Sequence, residues 1–259
     1  MPPTATTSRQ AWNAGAEATR GRPPSSSPAP ACEAVIFDMD GLLVDSESLA
    51  MEALAAAAVD AGLDLPAGFF HLMIGLPADQ CRTLMLDRLG ADFPTGPFFA
   101  AAEARKLDMV EAGRLTLKSG ALELLSLLER RGTPKAVATS SGRAKARHHL
   151  EAVGIARRFA AVVTRDEVAR GKPYPDLYLA AAGALGIAPQ RCLALEDSYN
   201  GVRAAQAAGV PVVMVPDLLP PTDEMRAACV AVVGDLHAVG AILAGAGPAP
   251  SAQGAAAAA

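Results

Sequence analysis

The residues of this chain that could do chemistry fall in four short clusters. The first is Asp38-Met-Asp40-Gly41, which closes the apolar run Ala34-Val-Ile-Phe37. Asp is a poor strand residue, so two of them at the end of such a run concentrate negative charge where the backbone must already turn. A magnesium ion takes oxygen ligands, commonly one or two carboxylates, and would make that pairing favourable. A strand running into an ordinary Asp/Gly turn accounts for the same residues, and the motif alone does not separate the two readings. The second cluster is Thr139-Ser140-Ser141, after Lys135-Ala-Val-Ala138. The third is Lys172 in Gly171-Lys-Pro-Tyr-Pro-Asp176, and the fourth is Glu196-Asp197-Ser198, after Cys192-Leu-Ala-Leu195. Each has a local explanation too. Hydroxyls cap the next helix, a lysine beside a Pro-rich turn is an ordinary surface residue, and an acidic pair suits a helix N-terminus.

The elements that must position these groups follow from hydrophobic patterning. Short apolar runs at 34–37, 135–138, 160–163, 192–195 and 211–215 read as buried strands. Between and after them lie helical segments at 121–131, 143–153, 175–185, 201–208 and 236–244. Ser119 stands where it would cap the first of these, with Leu122, Leu125 and Leu128 as its apolar stripe. Strands separated by helices of this length imply right-handed βαβ units and a parallel sheet. In an open α/β sheet ligands bind outside the carboxyl ends of the strands. Hydroxyl, ammonium and acidic pair would therefore meet the Asp38 loop there. In order, spacing and strand context, the stretch 34–215 resembles the haloacid dehalogenase superfamily of phosphotransferases, whose four motifs match at these points.

That resemblance implies an α/β fold: a doubly wound, Rossmann-like parallel-sheet core with a small helical cap. Residues 46–115 read as the cap, since they carry helix-forming segments (48–61, from about Pro77 to Gly90, and 97–112) and no convincing strand. The core is then 32–45 with 116–244. The tails, 1–31 and 245–259, are rich in Pro, Ser, Gly and Ala without apolar periodicity, and are expected to be disordered. The first tail holds three arginines and one glutamate, a faint organelle-transit flavour, and no apolar stretch of secretory type.

For such a family member the roles distribute as follows. Asp38 is the nucleophile that forms an aspartyl phosphate. Asp40 protonates the leaving oxygen and then activates water, proton work that contributes roughly 10²–10⁴-fold. Lys172 offsets the charge of the transferring group. Thr139 donates to a phosphoryl oxygen, with the backbone N–H groups of Ser140 and Ser141 beside it. Magnesium is held by Asp38, Asp197, the backbone carbonyl of Asp40, and Glu196 directly or through water.

Other phosphate-handling signatures are missing: no Gly-x-x-x-x-Gly-Lys-[Ser/Thr] loop, no Gly-x-Gly-x-x-Gly after a strand, and no Gly-x-Ser-x-Gly elbow. A dehalogenase of the same superfamily would lack an aspartate at position 40. A non-enzymatic receiver module phosphorylated on aspartate would not carry Asp-x-Asp on its first strand or a helical insertion after it. The formal charge of -4 and the absence of a basic stripe with aromatics point away from nucleic acid. No run reaches the ~20 strongly apolar residues of a membrane span. Cys32, Cys81, Cys192 and Cys229 lie far apart with no Cys-x-x-Cys, which fits a reducing cytoplasm and no zinc or disulfide framework. The pair His148-His149 cannot form an i, i+4 metal site, and both read as surface packing.

The Asp-Met-Asp-Gly-Leu-Leu-Val-Asp-Ser-Glu run is similar to sugar-phosphate and nucleoside-phosphate phosphatases of the capped subfamily, with phosphoglycolate phosphatases nearby. The resemblance implies a phosphoric monoester hydrolase acting on a small phosphate ester, with specificity set by the cap around 73–78. Mutases of the β-phosphoglucomutase kind share the motif but carry a histidine ten residues after the general acid and an arginine in the cap loop. Ala50 and Ala78 stand at those positions, with Arg82 one helical turn further on. Hydrolysis is therefore expected over phosphoryl return to a sugar.

Overall fold

The computed structural model describes residues 32–245 except Gly75 and Pro77. Expectations for the tails (1–31 and 246–259) and for Pro77 fall outside the described residues. Six strands form one sheet: β1 (Ala34–Phe37), β2 (Lys135–Ala138), β3 (Ala161–Val163), β4 (Cys192–Glu196), β5 (Val212–Met214) and β6 (Ala231–Val232). Their order is β3-β2-β1-β4-β5-β6, and every neighbouring pair is parallel. Successive side chains of a strand point to opposite faces, and both faces are dry. Val35, Phe37, Val137, Leu193, Leu195 and Val213 face one apolar cluster; Ala34, Ile36, Ala136, Ala138, Ala194 and Met214 face another.

Helices cover each face. On the first lie α4 (Ala121–Arg130), α5 (Arg143–Ala152) and α9 (Leu236–Leu243); on the second lie α6 (Asp176–Leu185), α7 (Tyr199–Ala207) and α8 (Asp223–Ala228). The buried stripe of α4 is Ala121, Leu124, Leu125 and Leu128. Leu122, expected in that stripe, is instead exposed, because the i, i+3, i+4, i+7 rhythm starts one residue earlier. Ser119 does not cap this helix. Gly120 does, in a left-handed conformation with φ 84°, and a Cβ there would lie 2.3 Å from the backbone nitrogen of His237. Only glycine lets the chain pass so close to the start of α9.

Between β1 and β2 the chain leaves the sheet as α1 (Ser46–Asp60), α2 (Ala78–Leu89) and α3 (Thr95–Glu111). These helices enclose their own apolar cluster, with Phe69, Phe70, Met73, Met85 and Phe98 at its centre. The outgoing and returning strands of chain are tied together: Asp45 N–H donates to Thr116 O and Lys118 N–H to Leu43 O, both at 2.9 Å. Two elements escaped expectation. Strand β6 is two residues long, and α8 buries only Met225, with Thr222 as its cap. The apolar run 227–233 that holds β6 was passed over as a strand, and α8, six residues long, is too short to show a helical period.

Candidate active site

The strand order reverses at β1, which lies between β2 and β4, and the crevice at such a switch point is where α/β sheets bind ligands. Register sets the heights of the functional residues. Phe37 is the partner of Val137 on one side and of Leu195 on the other. Asp38 is thus level with Glu196, Thr139 follows one residue beyond that level on the other side, and the Asp38 N–H donates to Leu195 O at 2.9 Å.

Asp38, Glu196 and Asp197 each offer an oxygen to one common point, these atoms lying within 4.8 Å of one another. Lys172 bridges two of them, donating from Nζ to Asp38 Oδ1 and to Glu196 Oε1. Burial pushes Lys172 down, but Asp38 and Glu196 more than offset this and hold its ammonium above the usual lysine range. Burial, with Glu196 and Asp40 nearby and only Lys172 opposing, pushes Asp38 up to about 7. Burial followed by Asp38, Glu196 and Glu47 raises Asp197 as well. Asp38 and Asp197, two buried carboxylates that resist ionising together, make with the Glu196 oxygen beside them a donor set that a hard cation fits.

The local chain is shaped around these groups. Gly41 has φ 81°, and a Cβ there would stand 2.2 Å from Asp197 Oδ2. At Gly201 a Cβ would lie 1.9 Å from the Glu196 carboxyl carbon. Glu196 is fully buried, with Oε1 also accepting from Tyr178 Oη at 2.6 Å and Oε2 from Ser198 Oγ at 3.0 Å. Its oxygens are engaged by three side chains, an arrangement suited to orienting Lys172 and to reaching a metal through water. Gly201→Ala should displace the Glu196 carboxylate and lower turnover at least about tenfold. A thermal midpoint measured alongside separates this from unfolding, and unchanged turnover would show that Glu196 placement is immaterial.

Asp40 sits in a different environment from Asp38. Ser46 Oγ donates to its Oδ1 and Ser141 Oγ to its Oδ2, both at 2.6 Å. Lys145 Nζ is 4.0 Å and His149 Nδ1 3.5 Å from Oδ1. Burial works to raise Asp40, yet His149, Lys145, Ser141 and Ser46 together hold its carboxyl well below the usual range. Two carboxylates two residues apart are thereby driven in opposite directions.

Thr139 is buried, and its Oγ1 accepts the Ser141 N–H at 3.0 Å. Ser141 thus turns its hydroxyl to Asp40 and its amide to Thr139, while Ser140 is exposed. None of the three caps α5. Gly142 holds that position without a side-chain bond, and Asp166 Oδ2 accepts the Arg143 N–H at 2.7 Å. The alternative of an N-cap cluster therefore gives way to a borrowed carboxylate. Nor is Glu196-Asp197 a capping pair, since Ser198 caps α7 and Glu196 ends β4.

The reading of His149 as surface packing is overturned. His149 is 2% exposed, because α5 turns Ala146, His149 and Leu150 inward. That i, i+3, i+4 spacing was visible in the sequence and marks one helix face. Lys106 of α3 is also buried, and it faces a cavity of about 410 Å³ shared with Lys145, His149 and Glu103. Burial, then Lys145, lowers the Lys106 ammonium, with Asp40 and Glu103 opposing. Lys106, Lys145, Ser46 and Tyr178 escaped expectation because which helix face meets the strand ends is a tertiary fact.

The model of the haloacid dehalogenase-like hydrolases matches residues 32–209. Hexitol phosphatase A of Escherichia coli is 37% identical over 190 residues, covering 71% of this chain and 83% of the relative. A phosphorylated carbohydrates phosphatase of Thermotoga maritima is 30% identical over 178 residues, covering 69% of this chain and 82% of the relative. Among solved structures, a HAD family hydrolase from Deinococcus radiodurans, with bound phosphate and sodium, superposes with a TM-score of 0.72 at 29% identity. It covers 86% of this chain and 99% of that one. Among the described residues no helix is long and apolar enough to cross a membrane.

Proposed function

Because the chain belongs to the haloacid dehalogenase-like hydrolases, we propose that it is a magnesium-dependent phosphatase that hydrolyses a small phosphorylated metabolite, a sugar phosphate or similar ester, through an aspartyl phosphate on Asp38. As in its named relatives, the reaction is hydrolysis of a phosphoric monoester. The observation that carries the reading is the paired but opposite treatment of Asp38 and Asp40. One is held by Lys172 at the centre of the acidic cluster and the other is held in a cradle of two hydroxyls, the Lys145 ammonium and the His149 imidazole.

Asp38 attacks phosphorus, and the bond from phosphorus to the ester oxygen breaks. Asp40 gives that oxygen a proton, so the leaving group departs as an alcohol. A dianionic phosphate beside Asp38 raises the proton affinity of Asp40, which is otherwise held low. Asp40 then takes a proton from water, whose oxygen attacks phosphorus. The bond to Asp38 breaks, and inorganic phosphate leaves with the Asp38 carboxylate restored. Lys172 stays on the Asp38 side throughout, balancing the charge of the phosphoryl oxygens, and Thr139, at the end of the neighbouring strand, serves one of them. Asp38, Asp197, the Asp40 carbonyl and, through water, Glu196 would hold Mg²⁺, which when bound neutralises charge between the phosphoryl group and the carboxylates. Lys106 brings a cation from the cap to the rim of the same crevice, suited to a polar or anionic part of the substrate. A reducing, cytoplasmic setting accords with four free cysteines.

The test is a panel of phosphorylated metabolites assayed with magnesium, together with β-glucose 1-phosphate and a bisphosphate primer. Free phosphate is expected from one or more sugar or polyol phosphates. Accumulation of glucose 6-phosphate with little free phosphate would make the protein a mutase, against the absence of histidine at Ala50.

A further inference from the structure

We propose that His149 is a positioning residue for Asp40, its buried Nδ1 fixing the Asp40 carboxylate for proton transfer to the leaving oxygen. The proposal rests on the phosphatase reading. His149 shares the inward face of α5 with Ala146 and Leu150, both in the apolar cluster beneath the sheet. A leucine would fill such a place without burying polar atoms, and a buried polar atom is disfavoured unless it finds a partner. Nδ1 has no hydrogen-bond partner among the described residues, and the nearest carboxylate oxygen is Asp40 Oδ1 at 3.5 Å.

That oxygen has room for a second donor. Oδ1 accepts from Ser46 Oγ and Oδ2 from Ser141 Oγ, and each carboxylate oxygen has two lone pairs. With its proton on Nδ1, His149 supplies the missing donor, and a small closure converts the present separation into a hydrogen bond. Catalytic hydrogen bonds are often long in the free enzyme and tighten with substrate bound. The two hydroxyls rotate about their Cβ–Oγ bonds, whereas the ring is wedged in the core and offers a fixed direction. Ser46 opens the first cap helix, while Ser141 and His149 belong to the core. The imidazole therefore anchors Asp40 to the same body that carries Asp38 and Lys172. His149 touches neither ester nor phosphorus in this arrangement, and acts only through Asp40.

The experiment compares kcat/KM of the full chain with glycerol 3-phosphate, whose leaving alkoxide needs a proton, and with p-nitrophenyl phosphate, whose leaving phenolate does not. In His149→Leu the ratio of the two is expected to fall about tenfold, a fraction of what general acid catalysis contributes. His149→Asn, whose amide nitrogen overlies imidazole Nδ1, should restore it. A purely structural role would lower both substrates together and leave the ratio alone. An unchanged ratio in His149→Leu, or an Asn variant no better than Leu, overturns the proposal. Should the Leu variant not fold, His149→Gln, which places its nitrogen at Nε2 instead, provides the same contrast with Asn. If the wild type hydrolyses neither ester, the phosphatase reading fails, and crystal structures decide the positioning role alone. Asp40 leaving Ser46 or Ser141 in the Leu variant supports it, and an unmoved Asp40 overturns it.

Discussion

Asp38→Asn is expected to leave a folded protein whose turnover of p-nitrophenyl phosphate is lower by about 10⁴-fold or more. The amide matches the carboxylate in shape, so packing at the end of β1 is kept. It cannot attack phosphorus, and the other carboxylate on Lys172, that of Glu196, is already engaged by Tyr178 and Ser198. The substitution also removes one negative charge from a buried cluster in which burial and the carboxylates Glu196 and Asp40 already push Asp38 up to about 7. The thermal midpoint of the metal-free variant should therefore equal or exceed that of the wild type. An Asn variant with near-normal rates would remove Asp38 from the mechanism, and one that unfolds would leave only a structural role.

Removing the divalent ion is the second large effect. Chelation should abolish turnover, and Asp197→Ala should lower it by at least about 10²-fold at saturating magnesium. Stability carries an independent signature. Both Asp38 and Asp197 have raised proton affinity in the metal-free fold, chiefly through burial. Between the ordinary carboxylate value of 3.8 and about 7, the folded protein thus holds more protons at Asp38 than the unfolded chain does. A group of this sign costs stability as pH rises through that window. The chelated protein should accordingly melt lower at pH 8 than at pH 5, and magnesium should raise the midpoint more at pH 8. Equal magnesium increments at the two pH values would argue that the cluster is not where the ion binds.

Much of this was legible in the chain because the strands are short, apolar and buried on both faces. β1, β2 and β4 lie within a residue of the runs that announce them. The strand-end residues Asp38, Thr139 and Glu196 converge because parallel strands end on one edge, a consequence of topology that the helix-strand alternation already implies. The strand order was not legible, since pairing β1 between β2 and β4 is a choice among distant segments. Side chains that reach the site from helices were missed for a related reason. His149 and Tyr178 sit on faces whose period is plain, Ala146-His149-Leu150 and Leu177-Tyr178-Ala181. A polar residue on an apolar face reads as packing until the neighbouring loop is known. Ser141 illustrates the converse: its backbone N–H was expected to serve the phosphate and its hydroxyl a helix cap, but the N–H goes to Thr139 and the hydroxyl holds Asp40.

The central claim is that the phosphoryl group passes through Asp38. It is tested most directly by acid-quenching the Asp40→Asn variant during turnover of radiolabelled p-nitrophenyl phosphate, whose leaving phenolate needs no proton from Asp40, and mapping the label by peptide. Without its general base the variant should be slow to release phosphate, so the intermediate accumulates. The expected result is one phosphoryl group per chain, stable to acid and lost in mild alkali, on the peptide that carries Asp38. A quenched protein free of label, or label on a serine, histidine or any other aspartate, would contradict the account.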